Sequence, residues 1–526
     1  MQSFNIALTE TTLFGALTRA ARRHGAGKEI LEDAERQNLT YERVILGALV
    51  LGKKLSDATP DGFTAGVMLP NVNALVVTVF GLNAWGRKAG LLNFTAGARN
   101  LASAARTGPL PVVITSRRFI DTAKLDDVVA ALAETEWAPG RRVEIIYLED
   151  VRKSIGTLDK ITGAIRAWMP AFHKRRARMA PDDVAVILFT SGTEGAPKGV
   201  ALTNRNLVAN AGQIFAHAGG ILSPADTFLN PLPMFHSFGL TAGMLMPLLN
   251  GIKVVLYPSP LHYKQVPKLI HDTRATFLVA TDTFLQGYAR AADPGDTDSL
   301  RFVVAGAERV KDSTRALWSK SGTIILEGYG ATECSPVISC NLPDDNRFGT
   351  VGRALPAVAT RLEPVEGIAT GGRLYVKGPN VMAGYIYPDR PGHIVPPPAG
   401  WHDTGDIVEI EDGFIAIRGR AKRFAKIGGE MVSLAAVEAL ASRLWPDNTH
   451  VVVSIPDPKK GESLVLVTDK PDADKATLLE FARREAFAEL WVPKAILVTG
   501  QIPVLGSGKV DYPQTTEMAR QARALL

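Results

Sequence analysis

The sequence predicts an α/β protein in two parts: a large N-terminal portion of layered, mostly parallel sheets, and a small α+β portion at the C-terminal end. Three observations carry this. The chain has 526 residues, more than one hydrophobic core ordinarily serves, so at least two domains are expected. Short apolar or β-branched runs at 66–69, 112–115, 143–148, 184–189, 254–256, 277–280, 302–305 and 323–326 alternate with longer amphipathic stretches. Such alternation argues for strands joined by helical crossovers. Near residue 400 the texture changes: Pro396, Pro397, Pro398 and Gly400 lead into hairpin-like segments at 407–410 and 414–418.

Past Arg420, helical patterns near 435–444 and 477–487 alternate with strand patterns near 450–455, 463–468 and 495–498. The expected division is therefore a large domain at 1–419, a hinge at 420–423 and a small lid domain at 424–526. Acidic and basic residues nearly balance beyond the hinge, so most of the formal net charge of +6 belongs to the large portion.

Composition narrows the function classes. With 46% hydrophobic and 21% charged residues the chain reads as globular and soluble. Two cysteines, Cys334 and Cys340, are too few for a disulfide framework and suit a reducing compartment. The first residues lack a basic region followed by an apolar core, so no signal peptide is expected. The apolar stretches 74–82 and 239–249 are too short to cross a bilayer. A cytoplasmic protein is the expectation.

The mild positive charge suits an acidic partner, an anionic substrate or an anionic membrane surface. No arginine-rich arm, zinc-finger spacing or RNP-type motif occurs, and nucleic acid is not an expected partner. One basic cluster, Lys174, Arg175, Arg176 and Arg178, follows Trp168 and Phe172. It reads as a solvated linker, or as a peripheral contact with the inner membrane or a carrier protein.

The strongest chemical signal is the run FTSGTEGAPKG at 189–199, which follows an apolar strand pattern and precedes a helical one at 204–218. Gly192, Gly195 and Gly199 let the backbone wrap closely around an anion, Thr190, Ser191 and Thr193 supply hydroxyls, and Lys198 adds charge. Such a loop suits polyphosphate. It is not the common nucleotide loop, because Gly508 and Lys509 are followed by valine.

This run resembles the phosphate-loop signature of the adenylate-forming superfamily, which comprises acyl-CoA synthetases, luciferases and peptide-synthetase adenylation domains. Companion motifs follow in the superfamily's order: HSFGL at 236–240, EGYGATE at 327–333, GRLYVKGP at 372–379 with Gly384 and Tyr385, Thr404-Gly-Asp406, GRAK at 419–422 and PVLGSGK at 503–509. The resemblance implies a large domain with a distorted β-barrel segment and a mobile C-terminal lid.

It also implies roles. Thr190, Ser191, Gly192, Thr193, Gly195 and Lys198 would hold the phosphates of ATP, and Glu333 would hold Mg²⁺. Tyr329, flanked by Glu327, Gly328, Gly330 and Thr332, would stack on adenine, with Gly306, Ala307 and Glu308 lining the same pocket. Asp406, assisted by Arg420, would accept from the ribose hydroxyls. His236 is either a packed aromatic neighbour of Phe235 and Phe238 or a residue closing over the substrate carboxylate. Lys509 would bridge carboxylate and nucleotide, so Lys509, His236 and Lys198 are the catalytic candidates.

The implied reaction joins a fatty acid to ATP as an acyl-adenylate and then acylates a phosphopantetheine thiol. More narrowly, EGYGATECSPVIS at 327–339, LYPSPLHY at 256–263 and GRAKRFAKIGGEMVSL at 419–434 resemble the synthetase half of bifunctional bacterial acyltransferase/acyl-carrier-protein synthetases. Arg423 is shared with that branch, whereas the acyltransferase spacing H-x-x-x-x-D is missing. The expected acceptor is thus holo-acyl carrier protein. The alternatives are coenzyme A as acceptor and a non-catalytic interaction protein on the same fold.

Overall fold

The computed structural model describes residues 4–168, 179–191, 197–368, 370–427, 430–457, 461–485, 487–504 and 510–524. Its packing divides into two units, one of residues 1–359 with 376–402 and one of residues 360–375 with 403–526.

Two large sheets form most of the first unit, beside a small hairpin of Glu136–Ala138 and Arg141–Arg142. In one, the strands run in the order Ile394–Val395, Gly384–Ile386, Pro197–Thr203, Val184–Ser191, Lys88–Leu91, Thr64–Val67, Val112–Thr115 and Glu144–Tyr147. The last five pair in parallel, and the first four pair antiparallel. In the other, Ile324–Gly330, Phe302–Ala305, Phe277–Ala280, Thr227–Asn230, Lys253–Leu256 and Glu29–Glu32 are successive parallel neighbours. Val337–Cys340 and Arg353–Ala354 extend it antiparallel.

The parallel strands are buried on both faces, which is why their sequences are continuous apolar runs rather than alternating ones. The crossover Asn73–Ala84 is likewise apolar all round and almost wholly buried. Among the described residues no helix is long and apolar enough to cross a membrane.

Helix Asn204–His217 organises the middle of this unit. It starts in a capping box, in which Thr203 and Asn206 exchange side-chain and backbone hydrogen bonds. Asn206, Asn210, Gln213 and His217 recur at i, i+4, i+7 and i+11, a single face, and all are buried. A buried amide costs about 1–3 kcal/mol if unpaired, so each must find a partner. Asn206 Nδ2 donates to the carbonyls of Pro379 (2.9 Å) and Val381 (2.7 Å). Asn210 Nδ2 donates to the Val337 carbonyl at 2.8 Å, and its Oδ1 accepts from the Val337 N–H at 3.0 Å. Gln213 donates to the Pro356 carbonyl at 2.8 Å, and His217 Nε2 to the Cys340 carbonyl at 2.8 Å.

In the second unit, Ala359–Glu363, Gly372–Lys377, His402–Glu411 and Phe414–Arg420 lie side by side in that order. A further sheet orders Glu430–Ser433, Phe424–Ile427, Gly461–Thr468 and His450–Asp457, with Ala495–Val498 parallel to Gly461–Thr468. Helices Leu434–Leu444 and Lys475–Arg484 bury Leu434, Val437, Leu440 and Leu478 against it.

Residues 403–419, assigned from the sequence to the large domain, pack with the C-terminal residues instead. The reason is local. The Phe414–Arg420 strand pairs with His402–Glu411, and its Arg418 carbonyl accepts from Ser433 Oγ at 3.0 Å, the N-cap of Leu434–Leu444. Arg423, in the expected hinge, is held in this unit. Its guanidinium donates to Glu438 Oε1 at 2.7 Å and to the Val452 carbonyl, and it lies 3.8 Å from the Tyr512 ring centroid.

Burial lowers the proton affinity of the His217 ring, and this outweighs the Cys340 carbonyl and Asp345, which raise it. The folded state therefore prefers the neutral ring. Its contribution to stability is complete above the unfolded value of about 6.5 and is lost as pH falls through the lowered folded value. Between about pH 7 and pH 5 the wild-type denaturant midpoint is expected to fall more steeply than that of His217→Gln; parallel pH profiles would refute this role.

Candidate active site

Chemistry concentrates where the hairpin Val184–Ser191/Pro197–Thr203 meets the 327–333 motif. Thr190 pairs with Lys198 and Ser191 with Pro197 in the antiparallel register, so the strands on either side of the glycine-rich segment lie side by side. The sequence pattern suggested a loop leading straight into the helix; seven residues of strand intervene. Gly192, Thr193 and Gly195 lie outside the described residues, as does the Ser191 side chain. Thr190 Oγ1 is buried with no protein partner. A hydroxyl desolvated without a partner is suited to an acceptor oxygen supplied by a ligand.

Lys198 Nζ lies 3.6 Å from the Tyr385 ring centroid and 3.7 Å from Glu333 Oε1. The Tyr385 hydroxyl donates to the same Glu333 oxygen at 2.6 Å. Only 15% of the Glu333 side chain is exposed. Burial pushes its carboxyl upward, but the opposing effects of His402, the Tyr385 hydroxyl and Lys198 together hold it below the usual carboxylate range. Burial and the Glu333 charge push the Tyr385 hydroxyl the other way, so it stays a donor.

The Glu333 backbone is fixed as firmly as its side chain. Met382 N–H donates to the Glu333 carbonyl at 2.8 Å. Asn380, fully buried, donates to the Cys334 carbonyl at 2.9 Å, while Ser335 Oγ donates to the Asn380 carbonyl. Among the described residues no group of three or more His, Cys, Asp or Glu could cage a metal ion. One ionised carboxylate with hard oxygens does fit Mg²⁺, which binds through one or two carboxylates and substrate phosphates rather than through a protein cage.

Tyr329 is buried on the Ile324–Gly330 strand and pairs with Ser339. The turn at 306–308 follows the neighbouring strand, with Ala307 at φ 67°, a left-handed conformation that costs a non-glycine residue about 1–2 kcal/mol. Gly306 is required by close approach: a Cβ there would meet Phe238 Cε1 at 3.2 Å.

Two acids of the predicted set hold the protein itself. Glu327 pairs with Arg315 and accepts from the Val310 N–H at 3.0 Å. Glu308 accepts from the Thr283 N–H and hydroxyl at 3.1 and 2.9 Å. Gly328 and Gly330 are strand residues flanking Tyr329, and Thr332 Oγ1 accepts from Ser237 Oγ at 3.4 Å. That contact brings the His236 segment to the motif. His236 is exposed, beside the Phe235 ring at 4.8 Å, and precedes a widened helical stretch, Phe238–Leu245.

In the second unit Asp406, 3% exposed, accepts from Arg420 Nε at 3.1 Å across the hairpin, and its N–H is held by Thr404 Oγ1. Lys509 lies outside the described residues. Sequence reasoning quoted Tyr385 only as part of a motif and did not single out His402 or Asn380. All three act on Glu333 or its turn from residues far along the chain.

Tyr385→Phe removes the hydroxyl that donates to Glu333 and is expected to weaken binding of magnesium–ATP about tenfold, with Glu333→Gln weakening it further. Titration with a fluorescent ATP analogue reads both. Unchanged affinity in both variants would show that this carboxylate serves no ligand.

The AMP-binding enzyme family matches residues 17–386. A 7a-methyl-1,5-dioxo-octahydro-1H-inden-4-yl propanoyl:CoA ligase of Rhodococcus jostii is 30% identical over 95% of this chain and 97% of its own length. A long-chain-fatty-acid–CoA ligase of Escherichia coli is 29% identical over 66% of this chain, and the match spans 63% of that relative, under two thirds of its length. The o-succinylbenzoate CoA synthetase of Bacillus subtilis, solved with its acyl-adenylate intermediate, shares the fold with a TM-score of 0.78 at 23% identity, over 96% of this chain and 98% of that one. The phosphate-loop hairpin, the Glu333 turn and these matches agree: the chain belongs to the AMP-binding enzyme family of adenylate-forming enzymes.

Proposed function

We propose that this ATP-dependent, acyl-adenylate-forming ligase activates a fatty acid or a comparably apolar carboxylic acid and passes the acyl group to the thiol of coenzyme A. The observation that carries the proposal is the convergence of Lys198, Tyr385 and an ionised Glu333 beside the orphaned Thr190 hydroxyl. The names of relatives support the acid and the acceptor: those described above act on an apolar propanoate and on long-chain fatty acids, each with CoA.

In the first half-reaction a carboxylate oxygen attacks the α-phosphorus, an O–P bond forms, and the bond to pyrophosphate breaks. Both reactants are anions, so the protein's task is positioning and charge neutralisation. Lys198 supplies one positive charge and Thr190 a donor at the phosphate hairpin. Glu333 would hold Mg²⁺, which supplies neutralisation of the triphosphate. By the resemblance, Lys509 would supply the second cation, Asp406 and Arg420 would serve the ribose, Tyr329 the base and His236 the acyl carboxylate. In the second half-reaction the thiol sulfur attacks the acyl carbon, AMP leaves with the electron pair of the anhydride bond, and the thiol proton passes to solvent. The superfamily resemblance implies a hinge at 420–423 and the withdrawal of Lys509 before the thiol enters.

Acyl carrier protein, the acceptor expected from the sequence, is the second reading. It rests on the resemblance of 256–263, 327–339 and 419–434 to the acyl-carrier-protein branch; Arg423, shared with that branch, is engaged within its own unit by Glu438, Val452 and Tyr512.

Lys509→Ala is expected to lower pyrophosphate exchange by at least about 100-fold while leaving ATP binding within a few-fold. Offering coenzyme A and holo-carrier protein separately to adenylate-loaded enzyme decides the acceptor. Thioester on carrier protein alone would overturn the proposal, and exchange that stays silent with every acid from acetate to palmitate would sink the activity itself.

A further inference from the structure

Helix Thr157–Trp168 is built inside out. Its inward side is small: Gly163 lies against Val50, where a Cβ would come within 2.4 Å of Cγ2, and Ala167 packs on the core. Its outward side carries Leu158, Ile161, Ile165 and Trp168, spaced three, four and three residues apart and therefore on one face. Their exposures are 74%, 52%, 56% and 86%. An ordinary surface helix has the opposite polarity. A continuous apolar stripe of this size turned to water marks an interaction surface.

The surroundings of the stripe are basic. Lys160 is exposed on the same helix, and Arg152 and Lys153 are exposed at the end of the helix Leu148–Lys153. Two nearby acids are paired within the protein, Asp159 with Lys54 at 2.9 Å and Asp150 with Arg117 at 2.6 Å, and Glu149 is turned toward Ser116 Oγ, from which it accepts at 2.7 Å. Arg166 is held at the flank, 4.9 Å from the Trp85 ring centroid. The sequence that follows Trp168, MPAFHKRRAR, lies outside the described residues; it contains four Lys or Arg and no acid.

We propose that this helix seats the protein on an anionic lipid surface, with Leu158, Ile161, Ile165 and Trp168 entering the headgroup–acyl boundary and the flanking cations facing lipid phosphates. Charge complementarity selects this occupant. A leucine–isoleucine–tryptophan stripe edged by uncompensated lysine and arginine matches an interfacial helix, whose aromatic residue sits at headgroup level. A purely protein partner would need the apolar stripe but not the one-signed border. The proposal goes beyond the activity: an enzyme that consumes fatty acids would meet them in the membrane where they partition.

Flotation of the full chain with vesicles tests it. Wild-type protein is expected to float with vesicles of phosphatidylcholine containing about a quarter phosphatidylglycerol, and to stay behind with phosphatidylcholine alone. The double substitution Ile161→Ser with Ile165→Ser should cut the bound fraction at least tenfold, and Lys160→Glu should weaken binding and flatten its dependence on salt. The replaced side chains are exposed, so the melting temperature and the activity toward a short soluble acid are expected to stay unchanged.

Failure of the wild type to float with anionic vesicles overturns the proposal, and so does flotation of the double serine variant at the wild-type level. A concentration-dependent dimer abolished by the serine substitutions, with no flotation, would assign the stripe to a second copy. A fluorophore on Trp168→Cys that reports an apolar environment before vesicles are added, and no change after, would assign it to the protein's own following segment. Either result overturns the membrane assignment without touching the proposed reaction.

Discussion

A line of buried amides on one helix face is the constraint from which the first unit takes its shape. Asn206, Asn210, Gln213 and His217 each bind main chain across from the helix, and the chain they bind surrounds the Glu333 turn. Apolar packing is non-directional and would let these segments slide by a fraction of an ångström. Amide-to-carbonyl bonds of 2.7–2.9 Å do not. The helix begins directly after the phosphate hairpin, so one capped element sets the distance between Lys198 and Glu333.

That distance matters because the two carry opposite charge where water is scarce. Tyr385 and His402 add further stabilisation to the Glu333 carboxylate, which stays ionised despite its burial. A group that needs so much support to keep its charge would be expensive as a purely structural element. Its cost is understandable if a cation and a triphosphate arrive to share it.

Much of this was readable from the chain alone. The parallel strands are apolar runs because both their faces are covered, and the motifs at 189–199 and 327–333 identify themselves by composition and order. What the sequence concealed has physical causes. The polar face of helix 204–217 has the periodicity of a solvated face, and only the main-chain groups across from it reveal that it is buried. Tyr385 and His402 reach Glu333 from far along the chain, and no local pattern encodes that meeting. The strand Pro197–Thr203 begins inside the run 189–199, read as a loop, because a glycine-rich signature conceals where the backbone resumes pairing. The 403–419 hairpin groups with the C-terminal residues in the packing, a grouping that depends on contacts such as Ser433 Oγ to the Arg418 carbonyl, which no local pattern shows.

The interleaving of the two units has a consequence for synthesis. Residues 376–402 return to the first unit after an excursion through 360–375, and they bring the edge strand Gly384–Ile386 and Tyr385 with them. A nascent chain emerging from the ribosome can lay down its parallel strands early, yet it cannot close the sheet beside Pro197–Thr203 until residue 386 is out. Until then that strand's outer edge is unpaired, a template for association with other chains. The first unit is therefore completed late in translation, and a chain terminated ahead of Gly384 would leave Lys198 and Gly199 on an open sheet edge.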